Sequence, residues 1–197
     1  MNAQKLTEHA LDTLFRTART ANAWQDKAVP ADTLRQIYDV MKFGPTSANS
    51  SPLRIVFLQS DAAKARLKPF LMESNIDKTM SAPVVAIFAM DMAFHDHLPF
   101  LFPHTDAKSW FEGNADLIAQ TAFRNSTLQA AYFMIAARAH GLDCGPMSGF
   151  DADKVNQEFF PDGKFKVNFI CNIGYADAAG TFARSPRFEF DQMAQVL

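Results

Sequence analysis

The chain has 197 residues, 48% hydrophobic and 20% charged, enough apolar material for one sizeable core and a single domain spanning residues 1–197. A formal net charge of −2, a pI near 6.2 and the lack of any basic run exclude the footprint of a nucleic-acid or anionic-membrane binder and leave small neutral or anionic ligands. MNAQKLTEHALDTLF lacks the apolar centre of a secretory signal, no stretch approaches the roughly 18 apolar residues of a membrane span, and Cys144 and Cys171 form no close-spaced redox or metal motif, so a cytoplasmic protein with free thiols is expected.

Leu11, Leu14, Phe15 and Ala18 recur at helical spacing and predict a first helix ending near Arg19. PADTLRQIYDVMKFG (30–44) predicts a second, with Leu34, Ile37, Tyr38 and Met41 as its stripe, Pro30 and Asp32 at its start and Gly44 as its left-handed terminator. The elbow GPTSANSSPLRI (44–55) follows, polar enough to hold a ligand, although loops of this composition usually face only solvent. LRIVFLQ (53–59) and PVVAIFAM (83–90) have the β-branched and aromatic content of buried strands, separated by a helix in DAAKARLKPFLM that Pro69 shortens.

NADLIAQTAFRNSTLQAAYFMIAARAH (114–140) is a long helix apolar on several faces, with Leu117, Thr121, Leu128, Ala131 and Ile135 near one face and Phe123, Ala130, Phe133 and Met134 outside it. A single small domain could surround it, yet with 19 Phe and 9 Met against 8 Gly a dimer interface explains it at least as well. GLDCGPMSGFD (141–151) reads as a turn between helices, with glycines that allow close backbone approach to a planar ring and Asp151 as the next N-cap; KFKVNFICNIGYA (164–176) supplies a third strand. The class is α+β, a small sheet among helices.

No G-x-G-x-x-G, P-loop or G-x-S-x-G motif is present. MDMAFHDHLPFLFPHTD gathers His95, Asp96, His97, His104 and Asp106, enough for a mononuclear metal site in a hydrolase using His95, His97 and His104; Pro99 and Pro103 instead favour an irregular loop or lid. Arg16 and Arg19 close the first helix, and Arg184 and Arg187 lie in TFARSPRFEF; such guanidinium forks suit phosphate.

Together these segments resemble the FMN-dependent nitroreductase family. RTANAWQDKAVP (19–30) is similar to its opening motif, PTSANSSPL to its Pro-Ser-x-x-Asn elbow, NIDKTMSAPVVAIF to its Asn-x-x-Lys before a buried strand, and GPMSGF to the loop after its long helix. The resemblance covers residues 11–190, and FRTARTANAWQ, KFGPTSANSSPLR, FPHTDAKSWFEGN and FRNSTLQAAYFMIAARAHGLDCGPMSGF look most like its malonic semialdehyde reductase branch, which serves pyrimidine degradation.

The resemblance implies a small, mainly antiparallel sheet wrapped by helices and an obligate homodimer whose long central helix lies at the interface, with FMN in each of two shared sites. It implies reduction of 3-oxopropanoate to 3-hydroxypropanoate by ping-pong hydride transfer through flavin N5, with NADPH or NADH as donor and without metal. Nitroaromatics and quinones are the alternative acceptors, and a flavin-storing dimer is the non-enzymatic one. Carried over onto matching positions, Arg19, Thr20, Asn22, Arg184 and Arg187 bind the phosphate and ribityl chain, and Thr46, Ser47 and Asn49 reach across from the partner subunit. Asn75 and Lys78 flank the pyrimidine edge, where Lys78 is the catalytic cation, and Ser148 and Gly149 lie near N5; whether Arg16 joins the phosphate site stays open. The segment 95–110 becomes a cover, with His104 or Lys108 as contacts for the substrate carboxylate. Ser51 and Leu53 depart from the common Gln and Trp of the elbow, and Asn22 stands where a base is usual.

Overall fold

The structure, a computed structural model, describes residues 4–197. Helix α1 (Glu8–Leu11) is capped by the Thr7 hydroxyl, which accepts from Ala10 N, and runs into a π turn (Asp12–Arg16). Both the backbone N–H and the hydroxyl of Thr17 donate to Asp12 O, which closes the turn at Arg16, three residues before the expected end. Helix α2 (Ala31–Met41) buries Leu34, Ile37 and Met41 and leaves Tyr38 exposed.

Gly44 is not the left-handed terminator predicted for α2, being absent from the residues with positive φ. Its requirement is space, because a Cβ there would penetrate the Tyr132 ring. The left-handed residues come later, in the elbow: Ala48 (φ 48°), Asn49 (φ 50°) and Ser51 (φ 40°), around a 3₁₀ turn (Ser47–Asn49).

Strand β1 (Leu53–Leu58), helix α3 (Asp61–Leu67) with a 3₁₀ turn through Pro69, and strand β2 (Val84–Asp91) follow as the pattern predicts, and helix α4 (Glu73–Met80), which the sequence reading did not include, lies between α3 and β2. A 3₁₀ turn (Phe94–His97), the short α5 (Leu98–Leu101) and another 3₁₀ turn (Lys108–Trp110) precede the long α6 (Ala115–Ala139). Strand β3 (Asp143–Met147), helix α7 (Ala152–Phe159) capped by Asp151, strand β4 (Phe165–Gly174) and a short α8 (Phe190–Met193) complete the order.

Among the described residues the sheet has four strands in the order β1-β2-β4-β3, every pair antiparallel. β3 lies where the sequence suggested a plain turn. Gly145 and Pro146 disguise it, and Pro146 is tolerated because an edge strand has no outer neighbour in the sheet that needs its N–H.

Each face of the central strand β2 is apolar, so the sheet has a core on either side. Val84, Ala86 and Phe88 pack with α2 and α6, together with the buried thiols Cys144 and Cys171; Val85, Ile87 and Ala89 pack with Leu67 of α3 and Val155 of α7. Segment 92–111 is more than a loose loop, since Phe94, Leu98, Ala107 and Phe111 form a third small core with Ala122.

On α6 the stripe expected from the sequence is split, with Thr121 buried, Ala131 and Ile135 half-buried and its two leucines outward, as is Phe123 from outside the stripe. Leu117, Leu128 and Phe123 are exposed, and the buried side mixes Ala122, Ala130, Phe133 and Ala137 with Asn125, Ser126 and Gln129. Periodicity assigns apolar residues inward, but the inner face carries amides that other backbone needs.

Replacing Gly44 with alanine overpacks the contact with Tyr132. Gly44→Ala is expected to lower unfolding stability by about 1–3 kcal/mol, measured as a shift in urea midpoint at unchanged slope.

Candidate functional site

The outer edge of β3 is covered by the chain itself. Thr20 bridges Cys144 in the parallel sense, Ala21 N donates to Cys144 O at 3.1 Å, and a Cβ on Gly145 would lie 2.6 Å from Ala21 O. Asn22 Nδ2 donates to Gly180 O (3.4 Å), which draws the C-terminal segment over the same edge.

Where the two segments meet, Arg19, Thr20, Asn22, Arg138, Arg184 and Arg187 line a cavity of about 510 Å³. Arg19 Nη1 donates to Ala18 O (3.1 Å), Arg184 Nη2 to Ala18 O (3.0 Å) and Arg138 Nη1 to Leu14 O (3.0 Å), so three cations gather at the carbonyl end of the first helix. Arg187 folds back on Ser185 O and Pro186 O. Among the described residues no carboxylate pairs with any of the four. Desolvation and the charges of Arg19, Arg187 and Arg138 pull the pKa of Arg184 below its ordinary value. A cluster of like charges without a counter-ion has the chemistry of an anion site.

Arg16 is engaged elsewhere, 2.8 Å from Glu8 and 3.0 Å from Asp12. Arg138, missed in the sequence, sits in the last turn of α6 and joins the cluster only through folding; its one signal is a charge within the small, apolar run AARA.

The other end of β3 leads into a backbone cradle. Gly149 O accepts from Met72 N (3.0 Å) and Asn75 Nδ2 (2.9 Å), and a Cβ on Gly149 would lie 2.5 Å from Asn75 Nδ2. Ser148 beside it is exposed. Lys78, one turn beyond Asn75, is half-buried and has no carboxylate partner among the described residues. Its carbonyl accepts from Trp24 Nε1 (2.8 Å) and Asn172 Nδ2 (3.1 Å). One sheet edge therefore brings together Arg19, Thr20 and Asn22 at one end and Asn75, Lys78, Ser148 and Gly149 at the other.

Thr46, Ser47 and Asn49 do not join them. The elbow leads into β1, the opposite edge of the sheet, and is held there by α6 and α5: Ser47 N donates to Asn125 Oδ1 (2.8 Å), Leu53 N to Gln129 Oε1 (2.9 Å), Tyr132 OH to Pro45 O (3.1 Å), and Asn49 Nδ2 to Leu101 O (2.8 Å). Thr46 Oγ1 accepts from Ser51 N (3.2 Å). These bonds explain the amides on the buried side of α6, and they hold three non-glycine residues in a conformation that costs about 1–3 kcal/mol each.

Among the described residues no three His, Cys, Asp or Glu side chains are grouped as a metal site. His95 packs against Phe94 and Phe111, His104 meets the edge of Phe102, and His97 lies 3.5 Å from an Asp91 carboxylate already bound by Arg54 at 2.6 Å. His95 and His97 share the 3₁₀ turn, and α5 lies between them and His104 along the chain. Lys108 is 2.9 Å from Asp96; hydrogen bonding between them holds the carboxyl below and the ammonium above their ordinary pKa values.

Residues 6–175 match the nitroreductase family model. The chain belongs to the nitroreductase family. A relative from Burkholderia lata, provisionally named an NADH dehydrogenase/NAD(P)H nitroreductase, is 61% identical over 191 residues, covering 97% of this chain and 98% of its own. One of the same provisional name from Polynucleobacter asymbioticus is 55% identical over 195 residues, 99% and 100% of the two chains. Among solved folds, a provisionally assigned nitroreductase of Bacillus subtilis superposes with a TM-score of 0.88 at 20% identity over 97% of this chain and 100% of that one. Another, from Exiguobacterium sibiricum and solved in complex with FMN, gives 0.84 at 20% identity over 100% of both chains.

The arginine cavity makes a direct prediction. Arg184→Gln is expected to weaken binding of inorganic phosphate, followed by calorimetry, by about tenfold or more, the weight of one charge-assisted hydrogen bond.

Proposed function

We propose that the protein is a homodimeric, FMN-dependent NAD(P)H oxidoreductase that reduces malonic semialdehyde to 3-hydroxypropanoate. The observation that carries the flavin reading is the asymmetry of the β3 edge, with four unneutralised guanidiniums at one end and a glycine-lined backbone cradle beside Lys78 at the other. A flavin mononucleotide has that polarity, a phosphate dianion joined by a short chain to a planar ring. The family match and the names of the relatives support the same reading.

The residues present fit the cofactor. Arg19, Arg184 and Arg187, with Arg138, would neutralise the phosphate, and Thr20 and Asn22 would meet the chain beyond it. Gly145 admits the Ala21 carbonyl and Gly149 lets its loop close on Met72 and Asn75, so both glycines serve to bring the covering segments onto this edge, with the exposed Ser148 beside Gly149. When bound, FMN supplies the hydride chemistry, accepting from NAD(P)H and donating to the substrate in separate half-reactions. Lys78, free of any carboxylate among the described residues, offers a positive charge at the ring end, the electrostatic help that a reduced ring requires. Asn75, fixed on Gly149 O, holds the loop at a set distance from α4.

Thr46, Ser47 and Asn49 lie on the far side of their own chain, so in this reading they complete the site of a second copy. The exposed Phe123 and Leu128 on α6, and Phe182, Phe188 and Phe190 in the C-terminal segment, give that copy apolar surface to cover. The semialdehyde carries a carboxylate, and the 92–111 segment offers His104, or Lys108 beside Asp96, as a contact for it. The relatives' names favour a second reading of the substrate, nitroaromatic or quinone reduction on the same flavin.

Purified protein is expected to be yellow, with about one FMN per chain by absorbance after denaturation. Steady-state assays with NADH or NADPH should give parallel double-reciprocal lines against malonic semialdehyde. A nitroaromatic or quinone with far higher kcat/KM, beside an inert semialdehyde, would replace the substrate and leave the flavin reading intact. Light scattering at low concentration should report a dimer; a flavin-loaded monomer would remove the elbow from the site.

A further inference from the structure

Lys78 lies near the end of α4, where helix geometry leaves backbone carbonyls without partners. Ala82 N bonds Thr79 O instead (3.3 Å), so Lys78 O has to be satisfied from outside the helix. Two donors reach it: Trp24 Nε1 at 2.8 Å and Asn172 Nδ2 at 3.1 Å. Asn172 is fully buried and turns the same amide toward Thr79 Oγ1 (3.2 Å), while its Oδ1 has no partner. The Lys78 carbonyl fixes the orientation of that amide, since a flipped one would set oxygen against it.

Trp24 is placed with equal care. A Cβ on Gly174 would lie 2.9 Å from its Cε3 and one on Gly145 3.4 Å from its Cζ2, so the indole rests on two bare backbone positions of neighbouring strands. Its own backbone bridges Ala176. Five residues along the chain is Arg19, on the wall of the arginine cavity. The indole N–H thus ties the covering segment of β3 to the turn of α4 that carries Lys78, joining the two ends of the edge through one hydrogen bond.

We propose that Trp24 is a positioning residue, which through its bond to the Lys78 carbonyl sets the place of the Lys78 ammonium at the ring end of the flavin site. The inference rests on the FMN reading above. Trp24→Phe keeps an aromatic ring on Gly145 and Gly174 and removes only the donor and part of the surface. In FMN-loaded protein it is expected to lower the midpoint potential of the bound flavin, because a displaced cation stabilises the reduced form less. The FMN Kd should rise about five-fold, the weight of one neutral hydrogen bond. Binding of inorganic phosphate to the apoprotein should stay within about two-fold of wild type, since no arginine is touched.

The decisive measurement is a double-mutant cycle with Lys78→Met, read as midpoint potential. If Trp24 acts through Lys78, Trp24→Phe shifts the potential in the wild-type background and not in Lys78→Met. Equal shifts in both backgrounds, no shift in either, or a parallel loss of phosphate binding would overturn the proposal. Asn172→Ala, which removes the second donor while leaving the indole in place, runs through the same cycle if Trp24→Phe does not fold. Wild-type protein that binds no FMN sinks the flavin reading and this inference with it; FMN-loaded protein indifferent to the cycle sinks this inference alone.

Discussion

The open side of β3 is the constraint from which the rest of the site follows. An edge strand presents a row of unpaired N–H and C=O groups, and this one is covered by an extended stretch of its own chain running parallel at Thr20 and Ala21. That cover needs Gly145 to admit the Ala21 carbonyl, and Gly180 because a Cβ there would clash with Ala23. The arrangement fixes where Arg19 stands and where the C-terminal arginines return. Backbone satisfaction, a matter of stability, thereby sets the position of the charges.

The long helix plays a comparable part on the other side of the sheet. α6 gives up apolar burial at Asn125 and Gln129, and those amides bind the backbone of an elbow that would not hold its left-handed residues unaided. Tyr132 adds a hydroxyl from the same helix, and Gly44 exists as glycine to let that ring in. Two strained loops at opposite edges would be expensive for a small fold. Here only one is strained, and side chains from α6 and α5 brace it.

Periodicity made the first two helices, α3, the long α6 and the three regular strands legible, while α4 and the short α5 and α8 carry too little of it to be read. The sequence concealed β3, since Gly145 and Pro146 are strand breakers in local terms and acceptable only at an edge, a fact of topology. It suggested the wrong reason for Gly44, because the contact with Tyr132 is long-range and invisible to local pattern. Arg19, Arg184 and Arg187 could be named in advance as candidate phosphate ligands, whereas Arg138 could not, being a lone charge near the end of a long helix. The histidine-rich segment offered a metal site only as the rival to a loop or lid, and among the described residues its side chains are not grouped as one. Apolar faces of α6 were readable as apolar, but not which of them the chain itself would cover.

The buried thiols turn the edge strand into its own reporter. Cys144 on β3 and Cys171 on β4 are both inaccessible, and burial, together with its hydrogen-bonded neighbour Cys144, drives the pKa of Cys171 far above a usual thiol. A thiol reagent has no route to either sulfur unless β3 swings away from β4 or the core beneath it opens. The labelling rate in native buffer is then a clock for transient detachment of one strand. Any ligand that bridges the covering segment and α4 would slow that clock by mass action, even where the overall unfolding transition hardly moves.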